Sequence, residues 1–147
     1  MDYNSDFRYD LKLGQVGENA LGKMLSDHTI EVKFDFGTHW SGNFYIEYES
    51  RGKPSGIITT EAKFWCLIAA TKQANKQLIA QGHYTSEDVM YSIIIATARL
   101  KVICDEHHHR KDVKGGDKDT SIGYLVKATA LLHTLPEQVH STGFVSQ

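Results

Sequence analysis

Two short segments of this chain alternate between apolar and polar side chains, and this alternation constrains the fold more than any other feature. In residues 29–36 every second side chain is apolar, and the same period of two recurs in residues 43–49. Such a period is typical of a β-strand with one buried and one exposed face. A six-residue stretch with a glycine at each end, 37–42, separates the segments. We therefore predict a β-hairpin. Its core-facing side chains would be Ile30, Val32, Phe34, Phe36, Phe44, Ile46 and Tyr48.

The rest of the chain mixes helical and strand-like patterns. Apolar residues recur at helical spacing in residues 10–26. Apolar runs within 57–70 and 89–97 are typical of strands buried on both faces. Further patterns predict helices over 71–81, 96–107 and 128–135 and a short strand over 122–126. The length of 147 residues suits one domain. The predicted fold class is α/β, a mixed central β-sheet flanked by helices in a single domain over residues 1–147.

The composition leaves a nucleic-acid partner open. The formal net charge is −2, yet 16 Lys and Arg residues are present, and their placement decides whether a basic surface exists. Cys66 and Cys104 lie far apart in apolar segments, so we expect buried free thiols in a reducing compartment. The first ten residues lack a secretory signal pattern, and no apolar stretch approaches the roughly 20 residues of a membrane helix. We expect a cytoplasmic protein without membrane contact.

The polar face of the predicted hairpin carries the candidate chemistry. It would bring Glu31, Lys33 and Asp35 of the first strand opposite Glu47 and Glu49 of the second. Opposed side chains in an antiparallel pair lie about 5 Å apart, so these carboxylates repel unless a cation lies between them. Mg²⁺ prefers carboxylate, water and phosphate oxygens, and it can activate a water for attack on a phosphodiester. The alternative is a solvated face whose charges pair across the strands.

The order of these acids resembles the PD-(D/E)XK nuclease superfamily, in particular its small phage-type members. The resemblance lies in the segments VGENAL, IEVKFD and GNFYIE and covers about residues 10–70. It implies that Glu18 is the acid carried by the helix and that Glu47 is the first acid of the third motif. The strand acid is Asp35 or Glu31, depending on register. Glu49 stands where the family usually has lysine, and Lys33 is the natural substitute.

The resemblance also implies a fold, an activity and a partner. It implies a restriction-endonuclease-like core of order αβββαβ and a Mg²⁺-dependent DNA endonuclease, with Mn²⁺ able to substitute. The metal ligands would be Glu18, Glu31, Asp35 and Glu47, with Lys33 and Glu49 catalytic. We expect structure-selective cutting, like a Holliday-junction resolvase, or weakly sequence-specific cutting by a homodimer in a bacterial host cytoplasm. The alternatives are a catalytically impaired nuclease-fold protein that binds nucleic acid, and an unrelated α/β protein.

Candidate DNA contacts follow the acidic strand. Arg51, Lys53 and Ser55 lie in a glycine-containing turn, where phosphate contacts are common, although an ordinary charged turn would have the same composition. His39 and Trp40 lie in the predicted hairpin loop, where an exposed aromatic could stack on a base or pack over the core. Three consecutive histidines, 107–109, would point about 100° apart on a helix and so could not share one zinc ion.

Overall fold

The part of the chain that the structure describes contains five α-helices and seven β-strands. The computed structural model describes residues 7–133, with side chains for residues 11–133 other than residue 117. The helices are α1 (Phe7–Asp27), α2 (Thr38–Ser41), α3 (Lys76–Ala80), α4 (Thr97–Glu106) and α5 (Ala128–Leu132). The strands are β1 (Ile30–Asp35), β2 (Asn43–Ser50), β3 (Lys53–Pro54), β4 (Phe64–Ala70), β5 (Val89–Ala96), β6 (His108–Gly115) and β7 (Ser121–Lys127).

The strands form two sheets, although the sequence predicted one. In the three-stranded sheet, of order β1-β4-β5, β1 runs parallel to β4 and β4 runs antiparallel to β5. The second sheet has four antiparallel strands in the order β3-β2-β7-β6. The mixture of helices with parallel and antiparallel strands confirms the predicted α/β class.

The predicted hairpin is wrong, because β1 and β2 belong to different sheets. The intervening residues form the short helix α2 instead of a simple turn. The chain turns away from the first sheet at Asp35, whose carboxylate accepts hydrogen bonds from the backbone N–H groups of Gly37 and Thr38. The Thr38 hydroxyl then donates to the carbonyl of Asn43, where β2 begins. The chain therefore leaves one sheet at Asp35 and enters the other.

The two faces of β1 are also reversed relative to the prediction. Glu31, Lys33 and Asp35 pair with the β4 residues Trp65, Leu67 and Ala69, all of which are buried. Paired residues of neighbouring strands share a sheet face, so the polar side of β1 faces inward. Val32 faces the other way and is 56% exposed. The expectation that Ile30, Val32 and Phe34 enter the core is therefore wrong.

The core lies between the inner faces of the two sheets and α4. Its largest side chains come from β2, β4, the turn Gly56–Ile58 and α4. These buried residues include Phe44, Ile46, Ile57, Trp65, Leu67, Leu100, Ile103 and Cys104. The apolar run FWCLIAA within 57–70, predicted as a strand, forms β4, and the residues before it form a turn and a loop. Strand β5 buries one face rather than two, since Met90 and Ile94 are exposed.

The histidines lie at a junction between helix and strand. Helix α4 ends at Glu106, His107 follows it as the C-cap, and His108 opens β6. The His108 ring bonds through Nδ1 to the carbonyl of Cys104 at 2.9 Å. The helical geometry assumed for all three histidines was therefore wrong. The sequence pattern missed β6 because its alternation is weak, and pairing with β7 defines it.

Helix α1 carries apolar side chains that remain exposed. It covers the predicted helix 10–26, and its residues from Leu11 to Lys23 are all exposed.

Within residues 7–133, no helix has the length and apolar character needed to span a membrane. The predicted helix over 128–135 corresponds to α5, and residues 134–135 lie outside the described range.

Candidate metal and nucleic-acid site

A cavity of about 280 Å³ lies where the end of β1 approaches β2. Its polar lining comprises Lys33, Asp35, Glu47 and Lys76, and its walls include Phe44, Tyr45, Trp65 and Leu67. The polar side chains reach it from both sheets and from the start of α3. The cavity therefore brings together two carboxylates and two ammonium groups.

Asp35 is held firmly by backbone amides. Its Oδ1 accepts hydrogen bonds from Gly37 N at 2.8 Å and Thr38 N at 3.1 Å. Its Oδ2 accepts from Tyr45 N of β2 at 2.8 Å. Each carboxylate oxygen has about two acceptor positions, so Oδ2 retains capacity for another ligand. Asp35 thus ties β1 to β2 and keeps its charge at the cavity.

Glu47 is oriented by the turn that follows β3. Its Oε1 accepts a hydrogen bond from the Ser55 hydroxyl at 2.6 Å. The next residue, Gly56, has a φ of +53°, and a Cβ added there would lie 2.2 Å from the Glu47 carbonyl oxygen. The close approach therefore requires glycine, and it presses the turn against β2. Because Oε1 is bonded to Ser55, Oε2 is the oxygen better suited to an external ligand.

Lys33 and Glu31 form an ion pair beside the cavity. Lys33 Nζ lies 2.6 Å from Glu31 Oε1, and both side chains are partly exposed. The same ammonium group lies 5.5 Å from the centroid of the Trp65 ring. Attraction to the ring face adds to that of the carboxylate. Glu31 therefore holds Lys33, and Lys33 reaches the cavity from the inward face of β1.

The structure brings together only part of the predicted ligand set. Asp35, Glu47 and Lys33 line one cavity, as the sequence led us to expect, but Glu18 lies on the exposed helix α1. A β-bulge falls between Glu47 and Glu49, and Glu49 lies beside Pro54 of β3 rather than in the cavity lining. Among the described residues, no three His, Cys, Asp or Glu side chains form a group able to hold a metal ion.

The candidate DNA contacts have separate positions. Arg51 is exposed in the turn between β2 and β3, where it has a φ of +51°, and Lys53 is exposed at the start of β3. Ser55 donates to Glu47, so its role is internal to the site. Trp40 is 77% exposed on α2, two residues after the Thr38 that Asp35 caps, and the neighbouring His39 is half-buried. An exposed tryptophan and two exposed cations thus lie on the segments on either side of β2.

Two further polar residues line the cavity, Tyr45 and Lys76. Alternation placed Tyr45 on the same predicted strand face as Glu47, but neither residue was predicted to belong to the site. The Tyr45 hydroxyl lies 3.0 Å from Ser121 Oγ. Its ring would lie 2.7 Å from a Cβ added at Gly115 and 2.8 Å from one added at Gly123. Burial raises the pKa of Tyr45, the Ser121 hydrogen bond opposes that shift, and the Glu47 carboxylate adds to it. The glycines of β6 and β7 were the one feature of the sequence that indicated a ring, here that of Tyr45, packed against these strands.

Comparison of the chain with protein-family models, curated proteins and solved structures finds no match in any of the three. The resemblance to PD-(D/E)XK nucleases therefore rests on the short motifs and on the order of the acids. The assignment of function depends on the chemistry of the cavity.

Proposed function

We propose that this protein is a Mg²⁺-dependent DNA endonuclease whose site is the cavity between β1 and β2. The observation that carries the proposal is that Asp35 and Glu47 reach one cavity from two separate sheets, with Lys33 beside them. Two carboxylates can hold a divalent cation, and nearby lysines can contact a phosphodiester that is bound to the cation. The predicted ligand set of four acids is replaced in this proposal by the pair Asp35 and Glu47.

Two carboxylates are enough for this ion. Mg²⁺ usually keeps several waters and is held by one or two carboxylates together with substrate phosphate oxygens. Asp35 Oδ2 and Glu47 Oε2 are the oxygens with remaining capacity, and both side chains are already oriented by hydrogen bonds. Preorientation matters because a group that is already ordered loses little entropy when the ion binds. Mn²⁺ accepts the same oxygen ligands and should substitute.

The side chains around the pair would bind and orient the DNA. When bound, the metal ion would lower the pKa of a coordinated water and offset negative charge on the phosphate. Lys33 would contact a phosphate oxygen or orient that water, since its ammonium lies on the cavity side of β1. Lys76 adds a second positive charge to the wall. Arg51 and Lys53 would contact the DNA backbone farther along the strand.

The surroundings favour selectivity for DNA form over base sequence. The candidate DNA contacts lie on the four-residue helix α2 and on the short segment that follows β2. Reading base edges in a duplex usually needs a helix or a β-ribbon that enters the major groove. The exposed ring of Trp40 suits stacking on an unpaired base instead. We therefore place branched, nicked or single-stranded DNA first among substrates.

A catalytically impaired nucleic-acid-binding protein is the second candidate. Two observations favour it: the third motif has Glu49 where the family has lysine, and Lys33 is already paired with Glu31 at 2.6 Å. A lysine held by a carboxylate is less able to contact phosphate. DNA binding that depends on the metal, without cleavage of any substrate, would support this candidate.

The test is a cleavage panel with the wild type and Glu47→Gln. Junction, flap, nicked, single-stranded and linear duplex DNA are each incubated with Mg²⁺ or Mn²⁺. We expect the wild type to cut at least one form and Glu47→Gln to be slower by about 100-fold or more, since metal assistance lowers the barrier by several kcal/mol. Glutamine keeps the shape of the side chain and removes its charge.

Glu61→Gln is the matched control, because Glu61 is exposed and does not line the cavity. It should cut like the wild type when it is purified in the same way. Equal cutting by the wild type and Glu47→Gln would remove Glu47 from the site. Asp35→Asn is a weaker test, because the amide could not replace all three backbone contacts that Asp35 accepts.

A further inference from the structure

Among the residues that the structure describes, two apolar surfaces are exposed. The first, the α1 stripe, consists of apolar side chains on α1 that are between 47% and 53% exposed. Its members are Leu13, Leu21 and Leu25, which lie within about 120° of one another around the helix. Lys12, Asn19 and Lys23 lie on the opposite side by helical spacing. Amphipathic helices of this kind bury their apolar side in folded proteins.

The second surface is the side of the three-stranded sheet that turns away from the core, called here the outer face. By strand register it comprises Ile30, Val32 and Phe34 of β1, Phe64, Cys66 and Ile68 of β4, and Ser92, Ile94 and Ala96 of β5. Val32 is 56% exposed and Ile94 is 39% exposed, while Cys66 and Ile68 are half-buried. Neighbouring strands therefore present aliphatic and thiol side chains to the outside. Such an apolar patch usually marks an interaction site.

The α1 stripe needs a cover to remain helical. Isolated helices are marginal in water, and most helical stability in proteins comes from packing. Helix α1 also contains Gly14, Gly17 and Gly22, each of which weakens a helix. A Cβ added at any of these glycines would meet nothing within 4 Å. The glycines would let another surface approach the helix closely.

The two surfaces match in size. Helix α1 has 21 residues and is about 31 Å long at about 1.5 Å per residue. The strands of the outer face have six to eight residues, or about 20–26 Å at about 3.3 Å per residue. One helix can therefore lie along the whole sheet, as helices do in α/β layers.

The connection from α1 to β1 is anchored at one end of the three-stranded sheet. The His28 ring lies edge-on to the Phe64 ring, with centroids 5.4 Å apart. The Thr29 carbonyl accepts hydrogen bonds from the N–H groups of Lys63 and Phe64. These contacts fix the chain at the end of the sheet, and from there α1 leaves the outer face uncovered, with Val32 and Ile94 exposed.

We propose that a second copy of this chain covers the outer face. Each copy would lay its α1 stripe on the outer face of the other, which gives a two-fold dimer with the same contact made twice. Two reciprocal helix-on-sheet contacts can approach the roughly 1,200–2,000 Å² that stable interfaces bury. Lys33 and Asp35 lie on the opposite side of β1, so both cavities stay open. The proposal does not depend on the proposed function.

Native Cys66 allows a direct test. Leu13, Leu21 and Leu25 are changed to cysteine one at a time in the full chain, and each variant is oxidised under native conditions. We expect at least one to form a disulfide-linked dimer on a non-reducing gel, and the same variant carrying Cys66→Ser to form none. Asn19→Cys, on the polar side of α1, is the matched control and should stay monomeric on the gel.

A disulfide within one chain would show that α1 covers its own sheet and would overturn the proposal. A dimer band that persists with Cys66→Ser would overturn it as well, because α1 would then contact a partner elsewhere. Cys104 is buried and should not take part.

Light scattering after gel filtration supplies a second readout that needs no cysteine variant. The wild type should be a dimer, and Val32→Arg should raise the dimer dissociation constant by about 100-fold or more. Ile58→Arg is the control, since Ile58 is equally exposed but lies off the outer face, and it should stay dimeric. A wild type that is monomeric at every concentration, or equal dissociation constants for the two arginine variants, would contradict the proposal.

Discussion

At the scale of single residues, Asp35 shows how one side chain can serve both the fold and the chemistry. It accepts three backbone hydrogen bonds, which end β1, begin α2 and hold β2 in place. Charged acceptors of backbone N–H groups form strong hydrogen bonds. The same carboxylate lines the cavity beside Glu47. The position of the candidate site is therefore set by contacts that also define the fold.

The two cysteines should differ in reactivity. Burial raises the pKa of Cys104 to about 12, with a further contribution from Asp105, and burial also raises the pKa of the less buried Cys66. We expect iodoacetamide at pH 8 to modify Cys66 faster than Cys104 in the folded protein, because the thiolate reacts. Both should react once urea unfolds the chain. Peptide mass spectrometry measures the two rates, and rapid labelling of folded Cys104 would contradict its burial.

The same shift fixes the sign of a pH effect on stability. The pKa of Cys104 is higher in the folded chain than the ordinary value of 9.0. The folded protein therefore keeps this proton over a range in which the unfolded chain has lost it. The stabilisation that comes from this raised pKa is fully present below pH 9 and is lost as the pH rises towards 12.

Three of the site residues could be predicted from sequence and two could not. Asp35 and Glu47 were proposed from the order of the acids, and Lys33 because it shares a strand face with Asp35, although the hairpin expected to bring them together does not form. Lys76 and Tyr45 carry no motif. They reach the cavity because α3 and the bond from Tyr45 N to Asp35 bring them there. Such proximity depends on tertiary packing, which local patterns do not encode.

At the scale of elements, the turn Gly56–Ile58 supports β2 through one close contact. We expect Gly56→Ala to lower the free energy of unfolding by about 2–4 kcal/mol, because its Cβ would clash with the Glu47 carbonyl in a left-handed conformation. Gly52→Ala is the matched control, since Gly52 also has a positive φ, +75°, but open space around it. The free energy of unfolding of Gly52→Ala should fall by about 1 kcal/mol.

Urea unfolding midpoints measure both variants. Equal losses would mean that backbone conformation alone explains the glycine at position 56. A larger loss for Gly56→Ala would show that the turn is pressed against Glu47.

Strand β1 shows the limit of pattern analysis at this scale. Alternation identified the strand and its two faces correctly, but the assumption that its apolar face is buried in the same chain was wrong. A strand pattern states which residues share a face and leaves the partner strand and the covering layer undetermined. Here the partner is β4, more than 25 residues later in the chain, and the polar face lines the cavity.

At the scale of the whole molecule, the cavity exists because the two sheets separate beside Asp35. Strands β1 and β2 belong to different sheets, and Asp35 bridges them at the point of divergence. A hairpin would have placed all five charged residues on one flat face. The divergence instead selects Asp35 and Glu47 for the cavity and leaves Glu31 paired with Lys33. The class of fold was predictable from sequence, whereas this separation was not.

Binding of Mn²⁺ tests the central claim most directly, because the claim is that Asp35 and Glu47 together form an ion site. Calorimetry would titrate Mn²⁺ into the wild type, Glu47→Gln and Glu18→Gln, each alone and with a short DNA whose own binding is subtracted. We predict that the wild type and Glu18→Gln bind the ion alike and that Glu47→Gln binds it at least about 10-fold more weakly. Equal affinity of Glu47→Gln and the wild type, or no binding by the wild type with DNA present, would contradict the claim.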